Sequence, residues 1–175
     1  MTFWNPKLTV ANREYVKITY DYPMAAAKAF ASLSSPKPFK FVYVSGEGAT
    51  TTPGLLTARF GIVKGRTEAA LLALSKDPAY STFKPYSLRP GGVDPGQHRE
   101  IHEYLPVNSW FKKYAGIGFL GVMNTVYAGM VSPTKDLGRV LTELAASDGE
   151  PLEGKGIDGE GRTISNIAMR RLAGI

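Results

Sequence analysis

The sequence predicts an α/β fold: one βαβ unit on a parallel sheet, followed by a helical C-terminal part. Three observations carry that expectation. Phe41-Val42-Tyr43-Val44 is a continuous apolar run, as strands buried on both faces show. A helical period follows from Thr57 to Leu74, and a second strand candidate, Tyr86-Ser87-Leu88, lies shortly beyond it. Strand, helix and strand joined by short connections form a parallel crossover unit. At 175 residues the chain is one domain's worth of protein, so residues 1–175 are read as a single domain.

The elements follow in chain order. Asn12 to Leu33 reads as a helix, with Val16, Tyr20, Met24, Ala27 and Phe30 on one face and a helix-forming Ala25-Ala26-Ala27 run. Pro23 predicts a kink there, or a second helix capped by Asp21. Ser34-Ser35-Pro36-Lys37-Pro38 breaks the helix and leads into the first strand, which ends at Ser45. Small residues from Gly46 to Gly54 form a loop. The helix after it has Phe60, Val63, Thr67, Leu71 and Leu74 as its inner stripe and stops at Asp77-Pro78. Arg89-Pro90-Gly91-Gly92 makes a turn at the end of the second strand.

Beyond that turn helices dominate. Gln97 to Leu105 is a short polar helix, and Trp110 to Val131 is apolar and partly helical. Ser132 is an N-cap candidate with Pro133 at the first helical position. The helix it opens turns Leu137, Val140, Leu141 and Leu144 inward. Asp148 to Arg162, with its glycines and acidic residues, is a loop, and Ile164 to Leu172 a last short helix.

Composition narrows the function classes. There is no Cys, which excludes disulfides, thiol catalysis and thiolate metal sites, and makes the cytoplasm the expected compartment. The net charge is +6, but Lys and Arg are scattered, with no run longer than a pair such as Arg170-Arg171, so no nucleic-acid partner is expected. Ala115 to Val131 is uncharged, yet Gly116, Gly118, Gly121, Asn124 and Gly129 weaken it as a membrane span. The N-terminus has no secretory signal pattern.

Three constellations bear on chemistry. Ser45 ends a strand, where α/β sheets bind ligands, and Phe60 and Lys64 share a helix face. In carbonyl reduction a tyrosine hydroxyl delivers the proton, an ammonium lowers its pKa and a serine holds the substrate oxygen. A phenyl ring cannot transfer a proton. The same spacing is met by a core Phe60, a solvated Lys64 and a turn-forming Ser45. Gly154-Lys155-Gly156-Ile157-Asp158-Gly159 matches G-x-G-x-x-G formally, but it follows no apolar strand and opens no βαβ unit, so it is read as a loop. Gly46-Glu47-Gly48 follows a strand without a third glycine. His98 and His102 are spaced i, i+4, with Glu100 and Glu103 nearby, as two imidazoles on one metal can be. The order is not that of a zincin, and a polar helix without a metal is expected.

FVYVSGEGA, FGIVKGRTEAAL and YSLRPGGV together resemble the short-chain dehydrogenase/reductase superfamily, in its atypical, nucleotide-sugar-epimerase-like branch. The helix from Lys135 to Ala146 and GEGRTISNIAMRRLAG are similar to that branch too, so the resemblance runs from about Glu14 to Gly174. It implies a Rossmann-like frame and an NAD(P) cofactor. By that resemblance Ser45 is the serine after the fifth strand, and Phe60 and Lys64 stand at the Y-x-x-x-K pair. Arg89, Pro90 and Gly91 are the cofactor-side turn near the nicotinamide.

Two departures qualify what the resemblance implies. Phe60 replaces the tyrosine, and the glycine-rich phosphate-binding element that opens family members has no counterpart before Asn12. The expectation is therefore a truncated dehydrogenase-like protein, acting on a small molecule without tight NAD(P) binding or redox activity. The rivals are a cofactor-independent isomerase, cyclase or dehydratase, with Lys64, His98, His102 or Tyr104 as acid or base, and a non-catalytic interaction module. An open edge of the sheet predicts a homo-oligomer, or residues 1–11, with Phe3 and Trp4, folded over the gap.

Overall fold

The computed structural model describes residues 12–33, 37–104 and 128–175. They form an α/β fold dominated by a parallel sheet, as expected. The chain enters as a helix from residue 12, runs through a π-helical segment, Lys17–Asp21, and continues as α1, Tyr22–Ala31. Strand β1 is Phe39–Val44, α2 is Arg59–Ser75 and β2 is Phe83–Leu88. Two short strands, β3 (Gly92–Asp94) and β4 (Val131–Pro133), pair in parallel as a separate ribbon. Then come α3 (Thr134–Ala146), the antiparallel pair β5 (Ile157–Asp158) and β6 (Thr163–Ile164), and α4 (Asn166–Ala173).

The main sheet has the order β1-β2-β6-β5, with β1 parallel to β2 and β2 parallel to β6. Two cores sandwich it. Ala27, Ala31, Tyr43, Leu71, Leu74 and Phe83 pack on the side of α1 and α2. Tyr86, Leu88, Leu137, Val140, Ile164 and Met169 pack on the side of α3 and α4.

Strand β1 is half-buried rather than buried throughout, because it is the edge of this sheet. Strand β2 starts earlier than the sequence suggested. Its Pro85 breaks a strand pattern, yet the even-numbered residues of β2 face β1, while the amides of Ser87 and Arg89 donate toward β6. Pro85 therefore turns its missing N–H to the β6 side, ahead of the point where β6 begins to pair.

The first helix neither breaks at Pro23 nor restarts with Asp21 as a cap. Asp21 has helical dihedrals and its side chain caps nothing. Pro23 has no N–H to bond the carbonyl four residues back, which is that of Thr19. Two hydroxyls use it instead: Tyr43 Oη donates to Thr19 O at 3.2 Å and Thr67 Oγ1 at 3.0 Å. The π segment thus ties this helix to both β1 and α2. It also shifts the inner face by a residue, so Ala27 and Ala31 are buried and Phe30 points outward.

Ser132 is not an N-cap: it lies in β4, and Pro133 occupies the cap position without a side-chain bond. Residues 148–162 hold more than a loop, since β5 lies among them and β6 directly follows. Glycines 154, 156 and 159 of the formal G-x-G-x-x-G all have positive φ and build this hairpin. The apolar stretch from Trp110 lies outside the described residues up to residue 127. Among the described residues, no helix is long and apolar enough to cross a membrane.

Candidate functional site

The loop after β1 is pulled onto α2 by two small positions. A Cβ on Gly61 would stand 2.2 Å from the Gly48 carbonyl oxygen, and one on Gly65 would stand 2.1 Å from that of Thr50. Only glycine permits that approach, and Thr50 N donates to Gly61 O at 3.1 Å across it. The consequence is that Lys64 reaches the end of β1 at Ser45, while Phe60 lies over Gly48 in the loop that follows.

Ser45 N extends the β1–β2 ladder by donating to Leu88 O at 2.8 Å. The residue is only 2% exposed, and its hydroxyl has no hydrogen-bond partner among the described residues. Lys64 Nζ donates to the Ser45 carbonyl oxygen at 2.6 Å. Burial lowers the Lys64 pKa below its ordinary range, and Glu68, one turn further along the same face, opposes that shift. Phe60 belongs to no core. Its ring is 47% exposed and lies over Gly48, where an added Cβ would be 3.8 Å from Phe60 Cζ.

The turn at Arg89, Pro90 and Gly91 is bound up internally. Arg89 makes a forked ion pair with Glu68: Nη2 to Oε2 at 2.5 Å and Nε to Oε1 at 3.0 Å. That bond, and secondarily the charges of Glu68, Glu47 and Asp158, holds the Arg89 pKa above its ordinary value. Pro90 O accepts from Glu47 N at 3.0 Å, and Gly91 N donates to Ser132 Oγ at 2.9 Å. A Cβ at Gly91 would meet the Met130 carbonyl at 2.1 Å, so glycine is required there.

Ser132 Oγ in turn donates to Asn166 Oδ1 at 2.6 Å, and Asn166 Nδ2 donates to Gly129 O at 2.6 Å. The Glu47 carboxylate accepts from Asn166 N at 2.6 Å, at the positive end of α4. A polar network thus ties the end of β2 to β4 and to the start of α4.

The charged and amide groups at this end are largely bonded to one another. Arg89 bonds Glu68, the Gly91 amide bonds Ser132, and the Ser45 side chain is shut away from solvent. The histidines meet different partners. His102 lies in a 3₁₀ helix, Arg99–Tyr104, with Nε2 against Pro95 O, while His98 precedes that helix and its Nδ1 contacts Thr134 Oγ1. Among the described residues, no group of three His, Asp or Glu is placed to hold a metal.

The chain is 37% identical over 158 residues to the botcinic acid biosynthesis cluster B protein 16 of Botryotinia fuckeliana (strain B05.10). That match covers 87% of this chain and 98% of that protein. The chain belongs to that protein's family. It is also 30% identical over 186 residues to the leucinostatins biosynthesis cluster protein T of Purpureocillium lilacinum, covering 94% of this chain and 66% of that protein. No family model and no solved structure matches the chain.

In this member of the botcinic acid cluster protein 16 family, Glu68, Ser132, Asn166 and Glu47 join the site without any sequence pattern having marked them for it. For Glu68 a local signal exists. Phe60, Lys64 and Glu68 repeat every fourth residue, so a carboxylate follows the lysine on its own face. Asn166 offers no such signal, since its partners lie 34 and more residues away in sequence.

Proposed function

We propose that this chain is a short-chain dehydrogenase/reductase-like protein that keeps the frame of an NAD(P)-dependent oxidoreductase without its redox chemistry. On this reading it acts in the cytoplasm as a homo-oligomer on a small-molecule substrate. It serves a biosynthetic pathway of the kind its two relatives are named for. One observation carries the reading: Phe60 stands one helical turn before Lys64, whose ammonium reaches the strand end at Ser45. That is where carbonyl reduction needs a proton donor, and a phenyl ring has no proton to give.

Calorimetric titration with NAD(H) and NADP(H) tests it. No binding tighter than about 1 mM is expected. Micromolar binding of either nucleotide would overturn the reading.

A second reading is favoured by the Lys64–Phe60 pair itself. An amine of lowered pKa beside a half-exposed aromatic ring suits acid–base chemistry on an apolar substrate, as in an isomerase, cyclase or dehydratase. Lys64→Met should abolish such a turnover while leaving the fold intact. A purely non-catalytic interaction module would show no turnover in either form.

A further inference from the structure

We propose that the chain dimerises by pairing β1 with β1 of a second copy, antiparallel and centred on Val42. The proposal deepens the oligomeric part of the reading above and is independent of its redox part.

Among the described residues, no strand pairs with the outer edge of β1. The ladder fixes what that edge offers. Phe39 N and Ser45 N both donate to β2, and the register between them is unbroken, so the odd residues face β2. Lys40, Val42 and Val44 therefore turn their N–H and C=O groups outward. An antiparallel mate centred on Val42 engages all three: Val42 opposes Val42, and Lys40 opposes Val44 at both ends. A centre one residue away leaves one of the three residues without a mate.

The same register suits charge. Lys40 is the only charged residue of β1. Centring on Val42 places the two Lys40 residues about 13 Å apart, four residues along a strand, so like charges never face each other. The edge is thus complementary to itself, as a two-fold interface requires.

Apolar surface continues from this edge onto α1. Phe30, half-exposed, lies against Phe39 with ring centroids 6.0 Å apart. Ile18, Tyr22 and Leu33 are exposed along the same first helix. A two-fold axis perpendicular to the sheet puts both α1 helices on the same face of the joined sheet, one on each side of the seam. This occupant accounts for both the edge amides, which have no strand mate among the described residues, and the exposed Phe30 beside them.

Sedimentation equilibrium of the full chain between about 1 and 100 µM tests the proposal, with two variants at a half-exposed position. Val44→Lys sets a lysine opposite the mate's Lys40 at both ends of the seam and should weaken the dimer about tenfold. Val44→Glu sets a carboxylate there and should strengthen it several-fold. Urea midpoints of the variants should match the wild type measured at a concentration where all are monomeric, which keeps a folding defect apart from an association defect. A species of 19.0 kDa throughout the range would overturn the proposal. So would a dimer indifferent to the charge at residue 44, since it would use another face. Neither result bears on redox function, which the nucleotide titration reads separately.

Discussion

Glu68→Ala should destabilise the chain by about 3–5 kcal/mol. The pair it breaks joins α2 to the end of β2. Glu68 is 4% exposed at its side chain and Arg89 21%, with 2.5 Å between Nη2 and Oε2. At a separation of about 3 Å and an effective dielectric near 20, the attraction is roughly 5 kcal/mol. Desolvating two ions costs several kcal/mol each, so the intact pair is worth little against apolar side chains of equal volume. The asymmetry lies in removing one partner, which leaves Arg89 about four-fifths buried with only the more weakly acting Glu47 and Asp158 to offset its charge. Urea denaturation followed by circular dichroism measures this as a lower midpoint at unchanged slope. The double variant Glu68→Leu with Arg89→Met should recover most of the loss, since no charge is then stranded. A Glu68→Ala cost under about 1 kcal/mol, or additive losses in the double variant, would refute the reasoning.

Gly61→Ala should cost about 1–3 kcal/mol and push the loop after β1 off α2, because the new methyl meets a backbone carbonyl at 2.2 Å; urea midpoints read the cost. Phe60→Tyr should leave stability within about 0.5 kcal/mol, since the ring edge is half-exposed, and should not confer NADPH-dependent carbonyl reduction in an absorbance assay. Thr67→Val should cost about 0.5–1.5 kcal/mol in the same denaturation assay, because the single hydroxyl proton is shared between Val63 O and Thr19 O. Burial raises the Tyr43 phenol above its ordinary 10.0, with the Thr67 hydroxyl opposing. A raised folded pKa gives stability that is fully present below pH 10 and lost as pH climbs through the folded value. Tyr43→Phe should remove that part of the alkaline loss, measured as urea midpoints between about pH 9 and pH 11.

Much of the frame was legible because its signals are local. The stripe Val63, Thr67, Leu71 and Leu74 follows the helical period and is buried as that period requires. Leu137, Val140 and Leu144 do the same in α3. What failed was non-local. Strand β6 is two residues long and exists because β2 offers it a ladder; no pattern within Thr163-Ile164 distinguishes it from a loop. Phe60 fits the inner stripe by period, yet it sits on the first turn of α2, beyond the reach of either core, and so stays half-exposed. Ser132-Pro133 carries the residue types of a cap, but Gly91 and Asn166, distant in the chain, claim the serine hydroxyl for another purpose.

The same contacts that assemble the candidate site also close it, and this bears on which chemistry it can retain. Gly61 and Gly65 commit the loop to α2; that approach brings Lys64 to the Ser45 carbonyl, and it also buries the Ser45 hydroxyl without a partner among the described residues. Glu47 then fastens the loop to the first amide of α4 by a charge-assisted bond at a helix terminus. An unmade buried hydroxyl bond costs about 1–3 kcal/mol, which a ligand oxygen reaching Ser45 would recover on binding. On the reading proposed above, the ligand would therefore supply an acceptor for Ser45 together with apolar surface for Phe60. A nucleotide offers charge where Arg89 is already paired with Glu68; on that reading a small apolar carbonyl compound would offer both.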